Sequence, residues 1–497
     1  MVNFWVSKNR MFDLRRHGLL ALVLIYSVIA FWGKVLRGVS DKIDIAIYLR
    51  IGLDFWDAGF AAFSDRYANN GFSILAGLAS KITDIHEPYI VILLVSLPCF
   101  IGTIYFLFRI FERYLGEQWA IFACLLLSAC HSFAGAMARP LSEVPFFFVV
   151  SVSLFLTIQK KNNPLFIGLM LGASFWLRNQ IIIFLPFWPL LFNNTKGIKS
   201  YIKNGVLLGC GFFPCVGCYF WAQGGLDLFY TNHSRATLPS LNIFWNQLKA
   251  LNVQNSLTIY ILGVLSILSP SVRSKEKRLY FFVVISFILQ IILLFQKGWV
   301  TRPGTYLLFF TLFLYFIVVA MKFDIWPRLK MYRKDTVVWG ASIVFVFFLI
   351  SNASFVRIWK SLTIDNYVQN ALCPFRLDRH YLFKNFVPGA VIATDTIRGL
   401  IWTKLSVQGL GFQVQQVSPT VAKRFSTNDP FSSSLEVVNS RKTPLSADYL
   451  AIWRRVSHNK NIDFPSQFND KFENRYKLIS VDEAPRMVLA IYKISNL

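Results

Sequence analysis

Charge is scarce in this chain. Asp, Glu, Lys and Arg make up 15% of its 497 residues, where a soluble domain carries about a quarter, so a mostly wetted surface is excluded. Cysteine is scarce as well: seven in so long a chain rule out a disulfide scaffold. The six histidines are scattered with no His-x-x-x-His pair, so nothing spells a zinc site. There is no P-loop or dinucleotide fingerprint and no internal repeat. What abounds is apolar: 55% hydrophobic and 16% aromatic residues, with a mean hydropathy of +0.48. The aromatic content excludes disorder, and continuous instead of alternating apolar runs exclude a transmembrane β-barrel. The class left is an all-α polytopic membrane protein.

A spanning helix needs roughly 20 apolar residues, fewer where it is tilted or buried. Candidate spans lie near 18–36, 89–108, 118–137, 144–159, 164–177, 180–192, 204–222, 256–270, 279–296, 304–321 and 336–354, about eleven by that length rule. Residues 164–192 also admit one long helix or a re-entrant pair. With eleven spans the basic clusters all fall on one side: Lys8 to Arg16, Arg109 with Arg113, Lys160 with Lys161, Lys196 to Lys203, Arg273 to Arg278, and Lys322 to Lys334. The positive-inside rule makes that side cytoplasmic. It also accounts for much of the +25 net charge as dispersed topology signals, with no nucleic-acid partner implied. The first span offers no small-x-small cleavage site at Phe31-Trp32-Gly33 and reads as an uncleaved anchor.

The opposite side receives a long first loop (37–88), shorter loops, and the tail from 355 to 497. The chain thus divides into a transmembrane domain, 1–354, and a small C-terminal extracytoplasmic α/β domain, 355–497. Strand-length apolar pieces at Ala390–Ala393, Tyr449–Trp453 and Met487–Tyr492 predict the sheet of that tail.

The outer loops keep few charges. Arg139 and Glu143 flank Pro140-Leu141-Ser142, Arg178 precedes Asn179-Gln180, and Arg302 precedes Pro303. A single boundary Arg can snorkel to head groups. Three on the face opposite the basic side suggest an anion, for which Arg offers fork-like donors. In the first loop, Asp44, Ile47, Tyr48 and Ile51 share a helical face, which predicts an amphipathic helix in the interface. Ser64-Asp65-Arg66-Tyr67 follows, then a second apolar stretch from Phe72 to Ile82.

Asp44 and Tyr48, an aspartate and a tyrosine four positions apart soon after the first span, resemble the first outer loop of the GT-C glycosyltransferases. The likeness is to the protein-mannosyltransferase and aminoarabinose-transferase-like members, which use polyprenyl-phosphate sugars. Ser64-Asp65-Arg66-Tyr67 resembles that family's basic-aromatic step. Arg139 with Ser142-Glu143-Val144-Pro145 resembles its second outer loop, and Gly172 to Gln180 its small-residue helix ending in arginine. Arg302-Pro303 resembles the arginine before a late span. Ile45 stands where the family often has a second acid, and Ala68-Asn69 where a proline is usual; Asp41 is the alternative acid.

The resemblance implies transfer of a sugar from a polyprenyl-phosphate donor to a lipid, glycan or protein acceptor, with inversion, on the extracytoplasmic side of a bacterial plasma membrane. It implies Asp44 as general base, Arg66, Arg178 and Arg302 as the groups meeting the phosphate, and Tyr48, Tyr67 and Gln180 as substrate contacts. Arg139 is expected to clasp Glu143, which alternatively orients the acceptor. No cofactor is indicated, and the residues leave a divalent metal open. The rival readings are a transporter or lipid flippase, which places such charges near the midplane among paired repeats, and an O-antigen ligase or polymerase-like enzyme.

Cys210, Cys215 and Cys218 have ferredoxin-like spacing. They sit in an apolar span beside Gly209, Gly211 and Gly217, where small residues serve close helix approach. Gly168-x-x-x-Gly172 and Gly205-x-x-x-Gly209 read the same way.

Overall fold

The computed structural model describes residues 18–31, 43–64, 70–84, 88–129, 133–137, 141–159, 163–192, 197–222, 257–294, 303–327, 387–394, 412–417, 438–439, 445–455, 464–484 and 487–495, apart from a few positions within those stretches. The expected last span, 336–354, and the domain boundary at 354 lie outside them.

The helices begin with α1 (Leu20–Ile29), α2 (Ile43–Ala58), α3 (Asn70–Thr83) and α4 (Pro88–Val91). A π-helical turn, Ile92–Ser96, leads from α4 without a break into α5 (Leu97–Leu115), and α6 (Glu117–Ala129) follows. Next come α7 (Glu143–Thr157), α8 (Pro164–Leu177), α9 (Ile198–Ala222), α10 (Leu257–Ile267), α11 (Pro270–Lys275), α12 (Lys277–Leu294) and α13 (Pro303–Ala320). Among the described residues, the helices Ile92–Leu115 and Ile198–Ala222 are long and apolar enough to cross a membrane. Large apolar side chains stand outward on α9: Val206, Phe213 and Trp221 are 59%, 63% and 74% exposed. Water would penalise such a surface, whereas lipid tails do not.

The expected helix over 180–192 is not α-helical. Pro186 and Pro189 cannot donate to a helical ladder, and the backbone winds instead through two 3-10 segments, Asn179–Ile183 and Leu185–Leu191. At ~2 Å per residue, 13 such residues rise about 26 Å, close to the ~30 Å of a bilayer core. The segment runs from the Arg178 end of the bundle to Phe192, whose carbonyl accepts from Arg278 Nη1 at 2.7 Å. Trp188 Nε1 donates to Thr157 Oγ1 at 2.9 Å on the way. Irregular backbone at membrane depth must be covered by protein, and Ile181, Ile183, Phe184 and Trp188 are buried. Phe282 of α12 packs edge-on to Trp188 at 5.9 Å.

Some of the basic and aromatic residues of the loops are held by neighbouring segments. Lys322 Nζ donates to the Leu115 carbonyl at 2.5 Å, Trp119 and Trp326 pack edge to face at 5.7 Å, and Arg109 pairs with Glu112 at 3.0 Å. Lys322 and Arg278 thus bond to the backbone of other segments, whereas Lys8 to Arg16, Lys160 and Lys161 lie outside the described residues.

The crossing of α8 and α9 depends on glycine. A Cβ on Gly168 would fall 2.1 Å from the Leu208 carbonyl oxygen, and one on Gly211 2.1 Å from that of Leu165, so α8 and α9 touch backbone to backbone. Gly205 and Gly209, expected to act alike, have no neighbour closer than 3.4 Å and are not in such a crossing.

The tail forms one six-stranded sheet from β1 (Val391–Thr394), β2 (Gln413–Gln416), β3 (Tyr449–Arg455), β4 (Gln467–Asn469), β5 (Arg475–Ala484) and β6 (Met487–Ser495), in the order β2-β1-β3-β6-β5-β4. The β2-β1-β3 half is parallel and the rest antiparallel. The strand period of two divides its residues. Ile392, Tyr449, Ala451, Leu489 and Ile491 share a buried cluster with the helices, while Ala393, Leu450, Ile452, Ala490 and Tyr492 close a separate core.

Candidate active site

At the end of the bundle opposite the basic loops, two helices meet through a buried ion pair. Helix α8 stops at Leu177 because Arg178 takes an extended backbone, φ −157° and ψ 128°, which returns its side chain to the start of α7. There Arg178 Nη2 donates to Glu143 Oε1 at 2.5 Å, and Nε donates to Ser142 Oγ at 3.1 Å. Ser142 is the residue before α7, yet its hydroxyl makes no capping bond; it accepts from Arg178 instead. Both charged side chains are more than 90% buried. Such a pair is held only where geometry and extra hydrogen bonds offset its desolvation.

The pair is only partly satisfied. Glu143 Oε2, Arg178 Nη1 and the Oε1 of buried Gln180 have no hydrogen-bond partner among the described residues. A buried unmatched polar atom costs about 1–3 kcal/mol, so three in one neighbourhood mark a place for water or a polar ligand. The chemistry of that place is neutral overall: one donor and two acceptors around a compensated charge pair. It suits a hydroxyl, which donates and accepts, better than a phosphate, which Glu143 would repel.

Helices α2 and α3 lie against this end. A Cβ on Gly77 would sit 2.2 Å from the Gly52 carbonyl carbon, so the two backbones touch. On the same face of α2, Tyr48 is buried and meets Phe72 edge to face at 5.2 Å. Beside Phe72, Gly71 lets α3 rest on the backbone of Trp176, with a Cβ there only 2.9 Å from its carbonyl. Trp176 is in turn anchored to α9 by Nε1–H donation to the Cys215 carbonyl at 2.9 Å. Tyr48, Phe72, Gly71 and Trp176 thus lead step by step from α2 to Arg178. After α2, Phe60 meets Trp221 of α9 at 5.7 Å, an aromatic contact of the kind found at a membrane interface.

No protein-family model matches the chain, and no curated protein sequence matches it. Solved structures do. ArnT from Cupriavidus metallidurans bound to undecaprenyl phosphate superposes with a TM-score of 0.56 at 11% identity, covering 95% of this chain and 98% of that one. The apo state of the same protein gives a TM-score of 0.54, also at 11% identity, over 96% and 98%. ArnT, an aminoarabinose transferase, is a GT-C glycosyltransferase. The chain has the GT-C fold.

Within this GT-C fold, Asp44 lies in the first turn of α2, and its side chain is outside the described residues. Asp41, Arg66, Tyr67, Arg139 and Arg302 lie outside them entirely. Tyr48, Glu143, Arg178 and Gln180 are described: Glu143 and Arg178 form the buried ion pair, and Gln180 is buried two residues further along the chain. Glu143 pairs with Arg178; the expected clasp by Arg139 lies outside the described residues. Ser142 and Trp176 are the positioning side chains that sequence reasoning left without a role. Among the described residues, no three of His, Cys, Asp and Glu gather as metal ligands. Cys210, Cys215 and Cys218 are free thiols on α9, and Cys215 belongs to the α8–α9 crossing.

Proposed function

We propose that the protein is an inverting glycosyltransferase that moves a sugar from a polyprenyl-phosphate donor to an acceptor on the extracytoplasmic side of the membrane. The observation that carries the reading is the end-to-end superposition on ArnT, a structure solved with undecaprenyl phosphate. The buried Glu143–Arg178 pair, with Glu143 Oε2 and Arg178 Nη1 unmatched among the described residues, supports it by offering polar groups to a ligand where α7 and α8 meet.

In this reading Asp44 takes the proton of the acceptor hydroxyl as its oxygen bonds to the anomeric carbon. The bond from that carbon to the phosphate oxygen breaks on the opposite face, and its electron pair leaves with the lipid phosphate. A positioned base contributes ~10²–10⁴-fold to such a step. Charge growing on the phosphate needs preorganised cations. Arg178 is compensated by Glu143, so this task goes to Arg66 and Arg302, with Asp41, Tyr67 and Arg139 as further substrate contacts. Glu143, Arg178 and Gln180 then meet hydroxyls of the sugar or acceptor, with Tyr48 holding α2 in place.

Native mass spectrometry of the protein purified in mild detergent tests the donor class. A bound polyprenyl phosphate, lost in the Arg66→Gln/Arg302→Gln variant and kept in Glu143→Gln, is expected. Bulk phospholipid alone in every variant would overturn the reading and favour transport.

A further inference from the structure

Away from the candidate active site, a cavity of about 370 Å³ opens among α5, α7, α12, α13 and the end of the 3-10 segment. Its wall is apolar, with Leu107, Phe111, Leu154 and Leu312, and its polar end carries Lys277 and Arg278. The described lining holds these two cations and no carboxylate. Along α7 the cavity runs from Phe147 to Ile158, which at 1.5 Å per residue is ~16 Å, about one leaflet of a ~30 Å hydrocarbon core. Lys277, the first residue of α12, is exposed. Arg278 beside it grips the Phe192 carbonyl at 2.7 Å and so fixes the rim.

An apolar slot one leaflet deep with a cationic rim has the polarity of an anionic lipid turned inside out. Basic pockets between membrane helices bind such head groups, and an apolar wall favours burial of an acyl chain. We infer that this cavity is a second lipid site, which seats one acyl chain of an anionic phospholipid with its phosphate on Lys277. Its cationic rim, Lys277 and Arg278, lies toward the Ile158 end of the slot, whereas Arg178 and Glu143 pair at the opposite end of α7.

The test is native mass spectrometry of the full chain, delipidated and titrated with dioleoyl phosphatidylglycerol or dioleoyl phosphatidylcholine. The wild type should retain the anionic lipid at least tenfold better. Lys277→Glu, a change at an exposed position, should abolish that preference, and Ser151→Leu, which fills the slot from α7, should lower retention of both lipids. Equal retention by the wild type, or a preference that survives Lys277→Glu, would overturn the site. So would retention of both lipids unchanged in Ser151→Leu, which would put the bound lipid on an open surface. Displacement of the phosphatidylglycerol by a polyprenyl phosphate would make the cavity the donor's own site and overturn the inference while leaving the transferase reading standing.

Discussion

Arg178 closes on Glu143 across 35 residues of chain, with Nη2 and Oε1 2.5 Å apart and both side chains buried. The contact ties the last turn of α8 to the first turn of α7. It also turns an arginine that looks like an anion site into half of a neutral pair.

Breaking that pair leaves an uncompensated buried charge, which costs about 3–5 kcal/mol. Arg178→Met should therefore melt at a lower temperature in detergent than the wild type. The double variant Arg178→Met/Glu143→Leu should recover much of the loss, since apolar replacement of both partners is often neutral. A double variant as unstable as the sum of the two singles would show that the residues act separately.

The α2–α3 crossing admits no side chain. Gly77→Val places a branched group where the Gly52 backbone lies 2.2 Å from an ideal Cβ, and such overpacking costs ~1–3 kcal/mol. Because Tyr48 and the start of α2 ride on this crossing, turnover should fall more than tenfold while the protein still inserts in the membrane. The rate at which polyprenyl phosphate is released from its sugar conjugates, set against membrane abundance, measures both.

In the tail, Asp470 accepts from the Phe472 and Asn474 backbone N–H groups, from Asn474 Nδ2 and from the Tyr476 hydroxyl, at 2.9–3.1 Å. Asp470→Ala leaves these donors buried and unmatched, at about 1–3 kcal/mol for the group. Limited proteolysis of the full chain should then cut between β4 and β5 earlier than in the wild type, with the helical fragments unchanged.

Much of this architecture was legible in the sequence wherever apolar residues run together. The described helices fall where long runs predicted them, and β1, β3 and β6 grow from the three apolar pieces of the tail. Strands β2, Gln-Val-Gln-Gln, and β5, which carries Arg475, Lys477, Asp482 and Glu483, were not seen because their polar faces hide the alternation. The apolar 180–192 segment is legible in hydropathy, but its form is set by Pro186 and Pro189, which hydropathy ignores. The Gly52–Gly77 contact joins positions 25 apart in no recognisable motif. The Arg178–Glu143 pair joins positions 35 apart and depends on the extended backbone at Arg178, which no sequence pattern announces; Arg139, the clasp expected from the sequence, lies outside the described residues.

The central claim rests on Asp44, at the start of α2, acting as the base of a sugar transfer. The most direct measurement is the rate of polyprenyl phosphate release from a mixed pool of polyprenyl-phosphate sugars in membranes carrying wild type or Asp44→Asn at equal abundance. The account predicts release by the wild type and a loss of at least ~10²-fold in Asp44→Asn, the low end of a general-base contribution. Asp44→Asn turning over within twofold of the wild type would contradict it.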